Sequence, residues 1–322
     1  DNLERIAKAD CSKMMSILPS AIQKEYRNKL EFTFSTKSWK QDYDKDAIDN
    51  GAFGFHVPGF FDKVLEIDYC ALQSEPSNAI RNHLRDYCSK RSLPYYNIRE
   101  HSGLMRNLIV RTSTTGDVMV IVVFAQRSEE IVPLLENLRE NFRQITLLMY
   151  CINEKFNDTL GDQDIKCFAG KDHIEERMTS FDGKGELRFK IRPKTFYQTN
   201  SLQAEKLYHQ AAEFAGITKD DIVYDLYTGC GTIANYVASL SKKVVGIEYV
   251  EDAVEDARLN SEFNNINNTT FFAGDMAKIL TEEFIEQNGR PDVIITDPPR
   301  AGMAESVINQ LLATKARKIV YI

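Results

Sequence analysis

Two kinds of hydrophobic patterning divide the chain. From residue 222 onward, short runs of consecutive apolar residues alternate with stretches of helical periodicity. The runs at 222–227, 243–248, 269–272, 292–296 and 317–322 predict strands, and 232–240, 250–264, 276–287 and 304–313 predict helices between them. Such alternation implies parallel strands with crossover helices, because a tight turn cannot close a parallel pair. An α/β fold with a doubly wound sheet is the expectation for this half.

The first half reads as α+β. Shorter alternating runs at 29–35, 52–57, 106–112, 118–124, 144–151 and 187–192 predict strands, with turn-rich spacers at 114–117 and 182–185. Helical stretches near 76–91 and 129–141 interrupt them. The longest apolar run, 118–125, falls far short of the ~20 residues a membrane helix needs and reads as a buried strand. Pro193 cannot continue a central strand, so the boundary is expected at Arg192-Pro193. That gives an α+β domain over 1–192 and a second domain over 193–322.

Composition narrows the classes. A net charge of −7 argues against nucleic-acid binding through bulk charge, though not against a local basic groove. Six scattered cysteines (Cys11, Cys70, Cys88, Cys151, Cys167, Cys230) include no C-x-x-C pair, which predicts reduced thiols in a cytoplasmic enzyme. No signal peptide is visible and no membrane partner is expected. The chain starts at Asp1 and its last strand runs to Ile322, so it is expected to be a fragment ending mid-domain.

Candidate chemistry gathers at the strand ends of the second half. Asp225-x-x-x-Gly229-x-Gly231 follows a strand and precedes a helix. Glycines let backbone approach a ligand, and the helix start offers free N–H donors. Mere strand–helix packing is the plainer reading of this turn. Glu248 ends the next strand, where an acid can accept ribose hydroxyls, and Asp275 after the third strand could receive an adenine amino group. Two acids at successive strand ends favour a nucleoside cofactor. Asp297-Pro298-Pro299-Arg300 closes the fourth strand, its prolines stiffening the turn that presents Asp297. Arg300 stands where amino-group methyltransferases carry a stacking aromatic residue.

Two further segments point outward from that edge. Phe196-Tyr197-Gln198-Thr199-Asn200 precedes a helix expected over 201–214. Asn200 suits an N-cap, while an aromatic residue near an amide also suits stacking on a flipped base. Along 183–194, Lys184, Glu186, Arg188, Lys190, Arg192 and Lys194 share one strand face, with Leu187, Phe189 and Ile191 on the other. The basic face reads either as a solvated surface or as a strand tracking RNA phosphates.

With these residues in hand, the chain resembles the RNA uracil-5-methyltransferases, most closely their 23S ribosomal RNA branch. The motifs occur in family order: Phe196-x-Gln198-x-Asn200, Asp225-Leu226-Tyr227-x-Gly229-x-Gly231-Thr232, Gly246-Ile247-Glu248 and Asp297-Pro298-Pro299-Arg300-Ala301-Gly302. Tyr26-Arg27-Asn28-Lys29 resembles the start of the family's central domain. The resemblance spans nearly the whole chain and implies a Rossmann-like methyltransferase domain behind an RNA-facing one. It implies that Gln198, Tyr227, Gly229, Gly231, Thr232, Glu248, Asp275 and Asp297 line an S-adenosylmethionine pocket. Gln198 and Asp297 would then act on the target uracil. Thr232 stands where some members carry asparagine. Phe196, Arg188, Lys190, Arg192 and Arg300 are the expected RNA contacts.

Cys70 resembles the last of four cysteines that hold an iron–sulfur (4Fe–4S) cluster in the ribosomal branch. Its three partners are absent here, so a buried apolar role stays open beside the metal role. The family's Ser-Cys-Asn-Pro nucleophile segment and its base glutamate are also absent, as is an N-terminal RNA-binding module. The resemblance implies methyl transfer to C5 of a ribosomal RNA uridine by a monomer, with this fragment inactive by itself. A transfer RNA enzyme and a non-catalytic RNA-binding protein are the alternatives.

Overall fold

The computed structural model describes residues 2–40 and 51–322, so Asp1, on which the expectation of a cut end rests, lies outside it. Its elements run in order α1 (Asn2–Arg5), β1 (Lys29–Ser35), β2 (Ala52–His56), β3 (Val64–Glu66), α2 (Ser77–Lys90), β4 (Met105–Thr112), β5 (Val118–Phe124), α3 (Ile131–Asn141) and β6 (Leu147–Ile152). There follow β7 (Ile165–Gly170), β8 (Ile174–Thr179), β9 (Glu186–Ile191), α4 (Ser201–Ala215), β10 (Ile222–Leu226), α5 (Thr232–Ala238) and β11 (Lys243–Glu248). The rest comprises α6 (Glu251–Phe263), β12 (Thr269–Ala273), α7 (Met276–Ile279), α8 (Glu282–Asn288), β13 (Val293–Thr296), α9 (Glu305–Ala313) and β14 (Lys318–Tyr321).

The second half forms the expected parallel sheet, in the order β12-β11-β10-β13-β14. Strand order reverses between β10 and β13, which opens a crevice at their carboxyl ends. The helix expected over 276–287 is two pieces. Thr281 breaks it, because its hydroxyl accepts the Phe284 N–H (3.2 Å) and starts α8.

The first half forms a seven-stranded sheet, β3-β2-β1-β4-β5-β6-β7, antiparallel except where β5 pairs with β6 across the α3 crossover. Every residue of β5 is buried, as its unbroken apolar run predicted. The reason is that both sheet faces are covered. Val118, Val120 and Val122 pack with α2 and α3, while Met119 and Ile121 face a second core. That second core is continuous with β10, α5 and α6 through Phe189, Ile191, Tyr208 and Val223. Strands β3, β7 and β8 were not foreseen. β3 has only three residues and β8 three charges in six, and β7 shows no clean alternation, so each is fixed by pairing with its neighbouring strand rather than by its own pattern.

The β8–β9 hairpin lies before Pro193 in sequence and packs against α6. Asn264 Oδ1 accepts the Arg188 N–H (2.8 Å) while its Nδ2 donates to the Arg188 carbonyl (2.7 Å). Asn260 Oδ1 accepts the Lys190 N–H (2.8 Å). Side-chain amides thus complete the edge of β9, where another strand would otherwise pair. Among the described residues, no helix is long and apolar enough to cross a membrane.

Candidate active site

The turn after β10 is built from left-handed backbone. Tyr227, Gly229 and Gly231 have φ of 63°, 54° and 79°. A Cβ on Gly231 would meet Ala257 Cβ and Asn235 Nδ2 at 3.0 Å, so this glycine lets the turn lie against α6. A Cβ on Gly229 would meet nothing within 4 Å, so its exposed side faces open space. Tyr227 carries a steric cost of about 1–2 kcal/mol for its conformation, of the kind found at ligand sites. Beneath the turn, Asp225 is fully buried. Its Oδ2 accepts from Thr228 Oγ1 (2.5 Å) and the Ala234 N–H (2.9 Å), and Oδ1 has no partner. Burial pushes its pKa up to about 7 against the pull of those two donors.

Three strand-end acids ring this turn. Glu248 Oε2 accepts the Gly229 N–H (3.1 Å), and Oε1 accepts those of Tyr249 (2.8 Å) and Val250 (3.1 Å). A carboxylate has about four acceptor positions, so one on Oε2 remains for a hydroxyl donor. Asp275 caps α7, with Oδ1 on the Ala277 N–H (3.0 Å), while Oδ2 lies 3.8 Å from Lys278 Nζ and keeps acceptor positions for an amino group. Thr232 is buried and its hydroxyl donates to Tyr208 Oη (3.4 Å). These groups fit a nucleoside cofactor: free acceptors sit at two successive strand ends, and open space lies above Gly229.

The third acid is paired across the crevice. Gln198 Nε2 donates to Asp297 Oδ2 at 3.1 Å, which joins two motifs 99 residues apart. Burial raises the Asp297 pKa above the ordinary carboxylate value, and the Gln198 donor opposes the rise. The segment that carries Gln198 is fastened at several points. Arg111 of β4, itself buried, donates to the carbonyls of Arg192 (3.1 Å) and Thr195 (2.8 Å). The Thr195 hydroxyl bonds Asp256 of α6. Cys230 Sγ donates to the Phe196 carbonyl (3.3 Å), and the Asn28 amide donates to the Gln198 carbonyl (2.9 Å) and Ser201 Oγ (2.9 Å). Ser201 Oγ in turn donates to buried Glu176 (2.7 Å). Arg111, Glu176 and Ser201 carried no signal in the sequence, because their role depends on contacts between distant segments.

Asn200 takes its N-cap role, accepting the Gln203 N–H (3.1 Å). Phe196 projects outward with 66% of its surface exposed, and Arg300 is also exposed. The basic face of β9 is engaged within the fold. Arg188 pairs with Glu175, Arg192 pairs with Asp256 and more distantly with Glu255 (3.5 Å), and Lys190 lies 4.6 Å over the Phe263 ring. Cys70 is buried among apolar side chains, its N–H and carbonyl both bonded to Asn78. Among the described residues, no group of three or more His, Cys, Asp or Glu could hold a metal, so these residues alone do not make a cluster site. The Cys230 thiol is buried, and burial pushes its pKa up to about 12, the behaviour of a packing residue.

A parallel sheet of this order, with a glycine turn and strand-end acids at its reversal point, defines the Rossmann-like fold of S-adenosylmethionine-dependent methyltransferases. A solved structure of similar shape is the Pyrococcus abyssi tRNA (uracil-54, C5)-methyltransferase in complex with S-adenosyl-L-homocysteine. It is 26% identical with a TM-score of 0.71, and the match covers 94% of this chain and 67% of that one. The family described as tRNA (Uracil-5-)-methyltransferase matches residues 108–322, and the chain belongs to it. Proteins named uncharacterized RNA methyltransferases from Bacteroides thetaiotaomicron and Porphyromonas gingivalis are 51% and 50% identical across the whole chain. The chain spans 71% and 70% of their lengths.

Proposed function

We propose that the protein transfers a methyl group to C5 of a uridine in ribosomal RNA, acting as a cytoplasmic monomer. The observation that carries the reading is the Gln198–Asp297 pair at the crevice, with Phe196 exposed two residues before Gln198. Asp297 Oδ1 would accept the uracil N3–H, and the second hydrogen on Gln198 Nε2 would donate to O4. Cytosine reverses both groups, so the pair selects uracil. Phe196 stacks on the flipped base, and Arg300 meets its phosphodiester. In the domain assignment that goes with this, residues 1–192 face the RNA and 193–322 hold the cofactor.

Uracil C5 is a weak nucleophile. A cysteine thiolate adding to C6 moves the C5–C6 electron pair toward O4 and makes C5 enolate-like. Bound S-adenosylmethionine supplies the electrophilic methyl group. C5 would take it as the donor's S–CH3 bond breaks and its sulfur keeps that electron pair as a neutral thioether; a carboxylate base would then remove the C5 proton, re-forming the double bond and expelling the thiolate. In this reading the cysteine and the base lie outside residues 1–322. Glu248 and Asp275 hold the ribose and adenine, so Glu248→Ala and Asp275→Ala should each weaken S-adenosylmethionine binding by about 1–3 kcal/mol in calorimetric titration. Unchanged affinity in both would remove the cofactor assignment.

A second reading takes transfer RNA as substrate, and the family description and the Pyrococcus neighbour favour it. The similarity of the Cys70 context to the ribosomal branch favours the first. Incubation of the full-length protein with tritiated methyl donor separates them. Label as 5-methyluridine in ribosomal RNA supports the first reading, and label confined to transfer RNA supports the second. Label in neither would leave a non-catalytic RNA-binding protein.

A further inference from the structure

A cleft beside the Gln198–Thr199 turn holds two cations that the site described above does not use. It has a volume of about 440 Å³ and is lined by Arg27, Lys29, Leu30, Glu31, Phe55, Leu72 and Thr199. That lies within the ~300–1,000 Å³ usual for small-molecule sites and suffices for one nucleotide. Among the described residues, neither cation joins an ion pair. Arg27 Nε is buried with no hydrogen-bond partner, and so is the neighbouring Asn28 Oδ1. Native folds leave few buried polar atoms unsatisfied, and the unpaired Nε of Arg27, a residue of the cleft lining, points to a missing polar ligand.

The electrostatics favour an anion. Lys29 stands directly across from Arg111 on β4. Burial first, then Arg111, lowers its pKa from the ordinary lysine value, and Glu31 on the same wall opposes this. Arg111 has committed donors to the carbonyls of Arg192 and Thr195, so the positive charge near Lys29 is only partly answered. An anion in the cleft would relieve it. The lining also includes the apolar Leu30 and Leu72 and the half-exposed Phe55. Cations against an aromatic wall suit a phosphodiester and its base. The cleft is also joined to the candidate active site. The Asn28 N–H donates to the Thr199 carbonyl (2.7 Å) and the Asn28 amide to the Gln198 carbonyl, so the wall of the cleft and the Asp297 partner belong to one hydrogen-bonded unit.

We propose that this cleft is a second nucleotide subsite, which takes the nucleotide next to the flipped uridine, with Arg27 and Lys29 on its phosphodiester and Phe55 against its base. The proposal rests on the reading of the chain as an RNA uridine methyltransferase. It assigns recognition of the neighbouring nucleotide to the Tyr26–Lys29 motif.

The test uses full-length protein and fluorescent oligouridylate as the single-stranded probe. Affinity is measured across a salt series for the parent, for Arg27→Gln/Lys29→Gln and for Arg27→Lys/Lys29→Arg. The charge-removing variant should bind roughly tenfold more weakly. Its slope of log affinity against log salt should be shallower by about 0.7 for each phosphate that is no longer neutralised. The charge-conserving variant should keep the parent slope, which a merely structural role would not predict. S-adenosylmethionine affinity should be the same in all three. An unchanged slope in the charge-removing variant overturns the subsite. So does a loss of polyglutamate binding with oligouridylate binding intact, which would indicate a polypeptide occupant. Methyl transfer by the parent is scored separately on ribosomal and transfer RNA. If the parent methylates neither, the enzymatic reading fails whatever the slopes show. If it methylates one but the slopes match, only the subsite fails.

Discussion

Asp225 lies under the glycine turn with one carboxylate oxygen bonded and the other bare, and its protonation has a consequence for stability. Its folded pKa of about 7 is above the ordinary carboxylate value, so the folded state holds this proton more tightly than the unfolded one. Its contribution to stability is therefore fully present below about pH 4 and is lost as pH rises through about 7. The side-chain amide of an Asp225→Asn variant would not titrate. Urea unfolding of parent and variant should thus show a stability difference that grows in the variant's favour across that window, by on the order of 4 kcal/mol. Any fixed penalty from the extra amide hydrogens would be constant with pH and leave the slope untouched. A difference that does not vary with pH would mean that Asp225 is not proton-bound in the fold. The motif made Asp225 visible in the sequence. Its burial and bare oxygen were not, because they depend on where α5 and the Asp297 and Glu248 carboxylates come to lie.

At the scale of elements, the β8–β9 hairpin and α6 depend on each other. Asn260 and Asn264 complete the outer edge of β9, and Asn260 also donates to the Cys230 carbonyl (3.1 Å). Removing either amide leaves a strand N–H unpaired, at a cost of about 1–3 kcal/mol. Asn260→Ala should fall at the upper end, because it also strands the Cys230 carbonyl in a buried place. Amide hydrogen exchange gives the local readout: Lys190 should exchange faster in Asn260→Ala, and Arg188 in Asn264→Ala. Unaltered exchange at both would show that some other group covers the edge. The alternation along 183–194 did identify the buried side, for Phe189 and Ile191 are in the core. It could not show what meets the other side. Phe263, Asp256 and Glu255 belong to a helix some seventy residues later, and they engage Lys190 and Arg192 of that face.

At the scale of the molecule, four of the six thiols within residues 1–322, all but half-buried Cys11 and exposed Cys167, are poorly suited to attack uracil C6. Burial pushes the Cys88 and Cys230 thiols up to about 12 and also raises Cys151, while Cys70 is buried in the core. A polypeptide of residues 1–322 should therefore bind the methyl donor yet form no covalent adduct with RNA containing 5-fluorouridine. The full-length protein should form one, visible as a gel-shifted complex stable to denaturant. An adduct with the shorter polypeptide, abolished by Cys230→Ser, would place the nucleophile in the glycine turn and reverse the assignment of that cysteine to packing.

The parallel sheet, the glycine turn and the acids at its strand ends were legible from the residues alone, because these depend on local periodicity and on residue types with narrow conformational uses. The motifs also brought Phe196, Gln198 and Asp297 to notice. What remained was set by how the chain closes in three dimensions: Gln198 bonds Asp297, and Arg111, Asp256 and Asn28 hold the segment between the two sheets. Those outcomes depend on pairing between residues far apart in the chain. Such pairing is set by how two cores close on each other and leaves no periodic trace along either segment.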